Sequence, residues 1–286
     1  MTKIEWTDAT WNPIRARNRA TGKAGHFCVH VSPGCSNCYA ERMQPRFGNP
    51  IRYAAQDAGK VDVFLDERVV CEPLSWKRPR MVFVCSMTDL FGEFVEDSWL
   101  ATIFEIITRA PHHVFQVLTK RPARMQRFTR DWLRDVDNRI PQNLWLGVSV
   151  EDQQRADERI PILLDTPAVV RFVSAEPLLG PIRLGQSCRV SNPEWADRTI
   201  DWVIVGGESG PGARRMDLQW ARSIVRQCQA AQAPCFVKQL GRVWGIESGT
   251  VWHNQHSYRF AGGIKGNNIN QWPEDLRVRE FPRSPT

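Results

Sequence analysis

The sequence predicts an α/β protein: a parallel (βα)6-type partial TIM barrel over residues 1–240, with an irregular extension over 241–286 packed on it. Three observations carry that reading. Short runs rich in β-branched and aromatic residues recur about thirty residues apart, the length of a strand plus its crossover helix. The segments between them place apolar residues at helical spacing. Each run also gives way to a polar or charged group, as strands do where they open onto the mouth of a barrel.

The first strand candidate is IEWTDATW at 4–11, and six stronger ones follow: MVFVCS at 81–86, HVFQVLT at 113–119, LWLGVSV at 144–150, VVRFVSA at 169–175, WVIVGG at 202–207 and CFVKQL at 235–240. Near-continuous apolar strands belong to parallel sheets covered on both faces. Helices are expected over 97–110, 152–166 and 217–231, each opening near an Asp suited to cap its free amides. Residues 183–200 interrupt the repeat with polar and turn-forming residues, an excursion at the barrel edge. From Gly241 the chain turns rich in Gly, Asn and Trp and loses its periodicity. No Gly-rich phosphate fingerprint follows the first strand, which disfavours a dinucleotide-binding fold.

The 286 residues are 42% hydrophobic, enough for one large core and too apolar for disorder. The N-terminal residues lack the apolar run of a secretory signal, and no stretch reaches the roughly 18 apolar residues of a membrane span. A cytoplasmic protein with no membrane partner is expected. In a reducing compartment, eight cysteines are read as thiols rather than disulfides. Five of them, Cys71, Cys85, Cys188, Cys228 and Cys235, are scattered and read as small buried hydrophobes. The formal charge of +7 is compatible with a polyanionic partner, although the basic residues form no run.

The remaining three cysteines lie together in CVHVSPGCSNCYAERM, residues 28–43. Cys28, Cys35 and Cys38 follow the first strand candidate, so they belong at the same mouth as the strand-end groups. Those groups are Ser86, Thr88 and Asp89, then Lys120 and Arg121, Ser149 and Glu151, Ser174 and Glu176, Glu208 and Ser209, and Lys238 and Gln239. A structural zinc site needs four protein ligands, which would recruit His30 or His26. A cubane iron-sulfur cluster held by three thiolates leaves its fourth iron open, whereas electron carriers generally use four cysteines.

A three-cysteine loop after the first strand of a βα barrel, with aromatic Tyr39 directly after the last cysteine, resembles the radical S-adenosylmethionine enzymes. The first gap holds six residues here, where the usual spacing in that superfamily is three. WNP at 11–13, VSPGCSNCYAE at 31–41, SAEPLLGPI at 174–182, GGESGPGARRM at 206–216, VKQLG at 237–241 and WPEDLRVREFP at 272–282 together resemble an uncharacterised, phage-associated three-cysteine-motif family, a domain of unknown function. The resemblance covers nearly the whole chain. It implies a radical-SAM-like barrel in a bacterial host cell, and it leaves the substrate open.

Carried over, the resemblance makes Cys28, Cys35 and Cys38 ligands of a [4Fe-4S] cluster whose fourth iron chelates S-adenosyl-L-methionine. An external electron donor would reduce the cluster, and cleavage of the sulfonium would give a 5′-deoxyadenosyl radical. In relatives a Gly-Gly-Glu after the second strand holds the methionyl amine; here Gly206, Gly207 and Glu208 follow the sixth strand, so the amine contact falls to Ser86, Thr88 or Asp89. Tyr39, Ser149 and Glu151 complete the expected cofactor contacts, and Lys120, Glu176, Glu208 and Lys238 are the candidates for substrate.

Each of these sites has a structural alternative. Asp89 would cap the helix beginning near Glu96, Glu208 would pair with Arg214, and Lys238 would neutralise Glu176. Trp244, Trp252 and Trp272 are the aromatic residues singled out as platforms for a nucleic-acid or nucleotide substrate. The competing function is a zinc-stabilised module that binds nucleic acid or protein without catalysis. A catalytically degenerate barrel serving as a partner subunit is a third.

Overall fold

The computed structural model describes residues 2, 4–136, 139–187, 199–248, 250–253, 256–259 and 265–282, with side-chain surroundings omitted for 250–253 and 256–259. Seven parallel strands form the main sheet: β1 (Ala9–Trp11), β2 (Met81–Val84), β3 (Val114–Thr119), β4 (Leu144–Ser149), β5 (Val170–Ala175), β6 (Trp202–Gly206) and β7 (Cys235–Gln239). Their order in the sheet is their order in the chain. A doubly wound dinucleotide fold would reverse direction partway, and this sheet never does. All seven strand expectations from the sequence therefore have a counterpart.

The chain divides into two compact units, Met1–Val148 with Asp165–Arg171, and Ser149–Leu164 with Phe172–Ser284. In the first unit, α1 (Asp97–Arg109) follows β2 and buries Leu100, Ile103, Phe104 and Ile107, the one-face spacing expected of a helix on a sheet. A second helix, α2 (Pro122–Asp135), follows β3 and has no counterpart in the sequence reading. Its four arginines mask an apolar stripe of Met125, Phe128 and Trp132, and Pro122 at its first turn is the start signal. Phe104 packs edge-on against Phe128 and Trp132, with ring centroids 5.2 and 5.3 Å away. Truncating Phe104 to alanine would cost about 3–5 kcal/mol by the usual scale for buried aromatics.

Between β1 and β2 the first unit makes a long excursion. Strands Ile14–Asn18, Ala24–Gly25 and Val61–Leu65 form a small antiparallel sheet that the sequence reading did not anticipate. Ala16 and Val61 from this sheet join Phe27, Ala40, Tyr53 and Met87 in a satellite core. Cys28 and Cys38 lie against that core.

In the second unit, α3 (Gln153–Leu164) follows β4 and α4 (Leu218–Ala230) follows β6. Asp152 accepts from the Arg155 amide at 2.9 Å and Asp217 from the Gln219 amide at 2.8 Å, so two of the three expected Asp caps form, whereas Asp97 is already inside α1 and caps nothing. The excursion over 183–200 contains a short helix at Leu184–Ser187, and its residues 188–198, Cys188 among them, lie outside the described residues.

The tail is more regular than its composition predicts. It forms a helix at Arg242–Ser248, a hairpin of Thr250–His253 with His256–Arg259, and two short 3-10 turns. It then runs antiparallel to β7, where the Val237 amide donates to Val278 at 2.8 Å and the Glu280 amide to Cys235 at 2.9 Å. That pairing covers a strand edge that would otherwise offer free backbone groups. Three glycines explain why the regularity was hidden. Gly241 takes a φ of +92°, and a side chain at Gly207 would stand 2.9 Å from the Gly241 backbone, so the turn after β7 is built on glycine. Gly266, at φ +65°, closes against Gly241 as well.

Candidate functional site

In the first unit the cysteine loop is a run of tight turns. The Cys35 amide donates to Ser32 at 2.9 Å and the Cys38 amide to Cys35 at 3.1 Å, after which Cys38 opens the helix Tyr39–Met43. This brings the three thiols into one electrostatic neighbourhood. Burial pushes the Cys28 thiol up to about 12, with the Asp89 carboxylate and Cys38 adding to the rise. Burial also raises Cys38, and Cys35 adds to it; the amides of Glu41 and Ala40 and the charge of Lys120 work the other way. Tyr53 is raised by burial first and then by Cys38 and Cys28.

The turn after β2 forms the floor beneath the loop. Cys85 leaves the strand at a φ of +54°, uncommon for a residue with a side chain, and the chain from Ser86 to Asp89 wraps toward the cysteines. Asn12 holds that turn by accepting from Ser86 Oγ at 3.2 Å and from the Met87 amide at 3.0 Å. Tyr39 donates its hydroxyl to the Ser86 carbonyl, Thr88 donates to the Phe27 carbonyl, and Tyr53 donates to Met87 at 2.8 Å. The WNP motif therefore acts through Asn12, a residue the sequence reading quoted without assigning it a role.

Asp89 does not cap α1, whose capping position is Glu96 with no side-chain bond. It is instead a four-way acceptor for Thr119 Oγ1 at 2.6 Å, the Lys120 amide at 3.0 Å, Arg121 Nη1 at 3.0 Å and the Phe91 amide at 3.0 Å. Arg121 reaches on to the Val29 carbonyl at 2.9 Å, directly after Cys28, and its charge acts on the Cys28 thiol against the rise that burial causes. A guanidinium bonded to a buried carboxylate and to the cysteine loop ties the ends of β2 and β3 to that loop. Arg121 was visible in sequence only as one strand-end charge among several.

The predicted residues of the second unit are placed differently. Glu151 is fully buried and pairs with Arg159 at 3.1 Å, while Arg159 also donates to the Ser149 carbonyl at 2.7 Å. Glu176 meets Lys238 at 3.1 Å and lies 3.4 Å from Ser174 Oγ. Glu208 accepts from the Arg214 amide at 2.7 Å and from its guanidinium, Nε at 3.1 Å. The two pairs anticipated as structural alternatives, Glu176 with Lys238 and Glu208 with Arg214, both form.

Other expectations need correction. Cys71 is exposed rather than buried, because it sits at the junction of two one-turn helices instead of facing the core. Cys85, Cys228 and Cys235 are buried as expected. Trp272 is 1% exposed and donates to the Gly266 carbonyl at 2.9 Å, so it is core and not a stacking platform. Trp244 is half-buried, and Trp252 lies outside the residues whose side chains are described.

The thiols can be tested as a donor set for the implied cofactor. Of the two fourth donors a zinc site could recruit, His30 Nε2 sits 3.0 Å from Glu41, and buried His26 has its Nδ1 3.2 Å from the Ile14 carbonyl. Among the described residues no three His, Cys, Asp or Glu groups close around a point as a single ion demands. Zinc binds thiolates at about 2.3 Å, which requires sulfurs within roughly 4 Å of each other. A cubane places each cysteine on its own iron and asks only for neighbouring thiols from one compact loop. Cys28, Cys35 and Cys38 come from one such loop, with Cys38 acting on Cys28 and Cys35 on Cys38.

A family model described as a protein of unknown function (DUF5131) matches residues 1–273. The chain belongs to that family. No curated protein and no solved structure matches it. Among the described residues no helix is long and apolar enough to cross a membrane.

Proposed function

We propose that this member of the DUF5131 family is a radical S-adenosylmethionine-type iron-sulfur enzyme on a partial (βα)6-type barrel. The single observation that carries the proposal is that the loop bearing three thiols is bonded to the polar ends of β2 and β3, through Thr88 to Phe27, Tyr39 to Ser86 and Arg121 to Val29. The singly wound strand order supports the barrel, since open α/β sheets of the dinucleotide type switch direction. Cys28, Cys35 and Cys38 would hold the cluster. When bound, the cluster and its cofactor supply one-electron cleavage of a sulfonium and a carbon radical.

The chain's own residues have separable tasks. Asn12 and Tyr39 fix the turn at Ser86–Met87, whose polar groups face the cofactor end of the loop in this reading. Asp89 anchors Thr119 and Arg121, and Lys120 places a positive charge near Cys38. Glu176, Glu208 and Lys238 are proposed for substrate, a nucleic acid or nucleotide, on the strength of the +7 charge and the phage-associated resemblance. An external donor supplies the electron, and the cytoplasm of a bacterial host is the proposed setting.

The test is on protein purified without oxygen: iron, sulfide and zinc content, with electron paramagnetic resonance of the reduced protein before and after S-adenosylmethionine. About four irons and four sulfides are expected, with a spectrum that moves on addition of the cofactor, and Cys35→Ala should lose both. Stoichiometric zinc without sulfide after attempted reconstitution would replace the proposal with a zinc-stabilised binding module.

A further inference from the structure

The Arg121–Asp89 pair is a buried charge constellation of the first unit that is bonded to the cysteine loop at Val29, and cluster ligation does not explain why a cation sits there. Both side chains are largely buried, at 11% and 9% exposed, so solvent screens their charges little. Asp89 is saturated by Thr119, Lys120, Phe91 and Arg121, which leaves it no capacity for a ligand of its own. Arg121 is fixed at one nitrogen by Asp89 and at another by the Val29 carbonyl, directly after Cys28. The Arg121 charge therefore lies close enough to act on the Cys28 sulfur, and the Asp89 carboxylate acts on it with the opposite sign.

We infer that Arg121, locked by Asp89, is a positioning residue that sets the reduction potential at Cys28. The inference rests on the cluster reading above and goes beyond it, because ligation alone does not require a cation here. Reduction adds one negative charge to a cluster and its thiolates. A buried cation beside a ligand sulfur stabilises that charge and raises the potential. Asp89 opposes it with its own negative charge, and the net field at Cys28 is the difference between the two. The pair therefore has a signature that a merely structural bridge lacks: removing its two charges moves the potential in opposite directions.

The experiment is a redox titration of the reconstituted full-length protein, followed by electron paramagnetic resonance, for the unmodified chain, Arg121→Gln and Asp89→Asn. Arg121→Gln should lower the midpoint until the reduced-to-oxidised ratio at a fixed potential falls about tenfold, which is about 59 mV for one electron. Asp89→Asn should raise it. Arg121→Lys keeps the charge but loses the fork, and should shift less than Arg121→Gln. If Arg121→Gln does not hold a cluster, Asp89→Asn and Arg121→Lys still decide the sign. Unmoved midpoints, or shifts of the same sign in Arg121→Gln and Asp89→Asn with the cluster intact, overturn the inference alone. An unmodified protein that takes up no iron and sulfide overturns the cluster reading, and the inference with it.

Discussion

Both units pair their strand-end carboxylates with cations, but only in the first does the pair border a cysteine loop. In the first, Asp89 and Arg121 are turned onto a cysteine loop, and the thiols feel them directly. In the second, Glu151, Glu176 and Glu208 are each answered by a cation, Arg159, Lys238 and Arg214. The sequence pattern is the same in both: an apolar run and then a charge. A charge at the end of a parallel strand is therefore no more than an address. What it faces, a cysteine loop or a neighbouring cation, decides where its field acts.

The sharpest way to break this contrast is to delete Glu151. It is fully buried, and its partner Arg159 is 6% exposed, so removing one member leaves a buried charge without its counterion. Glu151→Ala should destabilise the protein by about 3–5 kcal/mol in chemical denaturation. Replacing both members by apolar residues of similar volume should recover most of that loss. Lys238→Met, at a pair that is 19% and 14% exposed, should cost only about 1 kcal/mol. Equal losses at the two sites would mean that the pairs of the second unit do not differ in burial as described, and iron binding should survive in every folded variant.

A smaller effect separates two adjacent glycines. A side chain at Gly207 would meet the Gly241 backbone and the Leu240 carbonyl at 2.9 Å, and backbone does not give way easily. Gly207→Ala should cost about 1–3 kcal/mol, the usual range for overpacking. At Gly206 the obstacle is the far end of Glu176, which can swing aside. Gly206→Ala should therefore cost less and act mainly by loosening Glu176 from Lys238. A thermal melt of the two variants distinguishes them, and the reverse ranking would remove the argument that this turn is built on close backbone approach.

How much of this was legible beforehand follows from what each feature depends on. Six of the seven strands were readable because burial on both faces writes a near-continuous apolar run, as in LWLGVS, where every residue of β4 is buried, while β1 is a short, half-buried ATW. The caps at Asp152 and Asp217 were readable because they are local. Helix α2 was missed because four arginines outvote Met125, Phe128 and Trp132 in any count of hydrophobicity, although Arg124 is itself buried against the carbonyls of Gly92 and Val95. The small antiparallel sheet was missed because its strands are two to five residues long and its pairing joins residues nearly fifty apart. The cysteine loop was legible as a cluster. That Asp89 and Arg121 serve it was not, since the contact joins positions 28, 89 and 121 and leaves no local trace.

The smallest predicted effect concerns the opposite end of β3. His113, just before that strand, is fully buried and bonded through Nε2 to the Pro73 carbonyl at 3.2 Å. Burial, followed by the charges of His112 and Arg80, holds its pKa below the ordinary value for histidine. The unfolded chain therefore binds a proton that the folded protein refuses, once pH falls below about 6.5, the unperturbed value. The stability this neutral histidine contributes is present above that pH and is lost as pH falls toward the depressed folded value. Unfolding free energy measured from pH 7.5 to 5 should decline for the unmodified chain, and His113→Gln should flatten the slope without changing iron content. A slope that persists in His113→Gln would assign the acid sensitivity to another group. If iron content changed as well, the two ends of β3 would not be separable, and the contrast between a pair that borders the cysteine loop and pairs that do not would lose its clearest case.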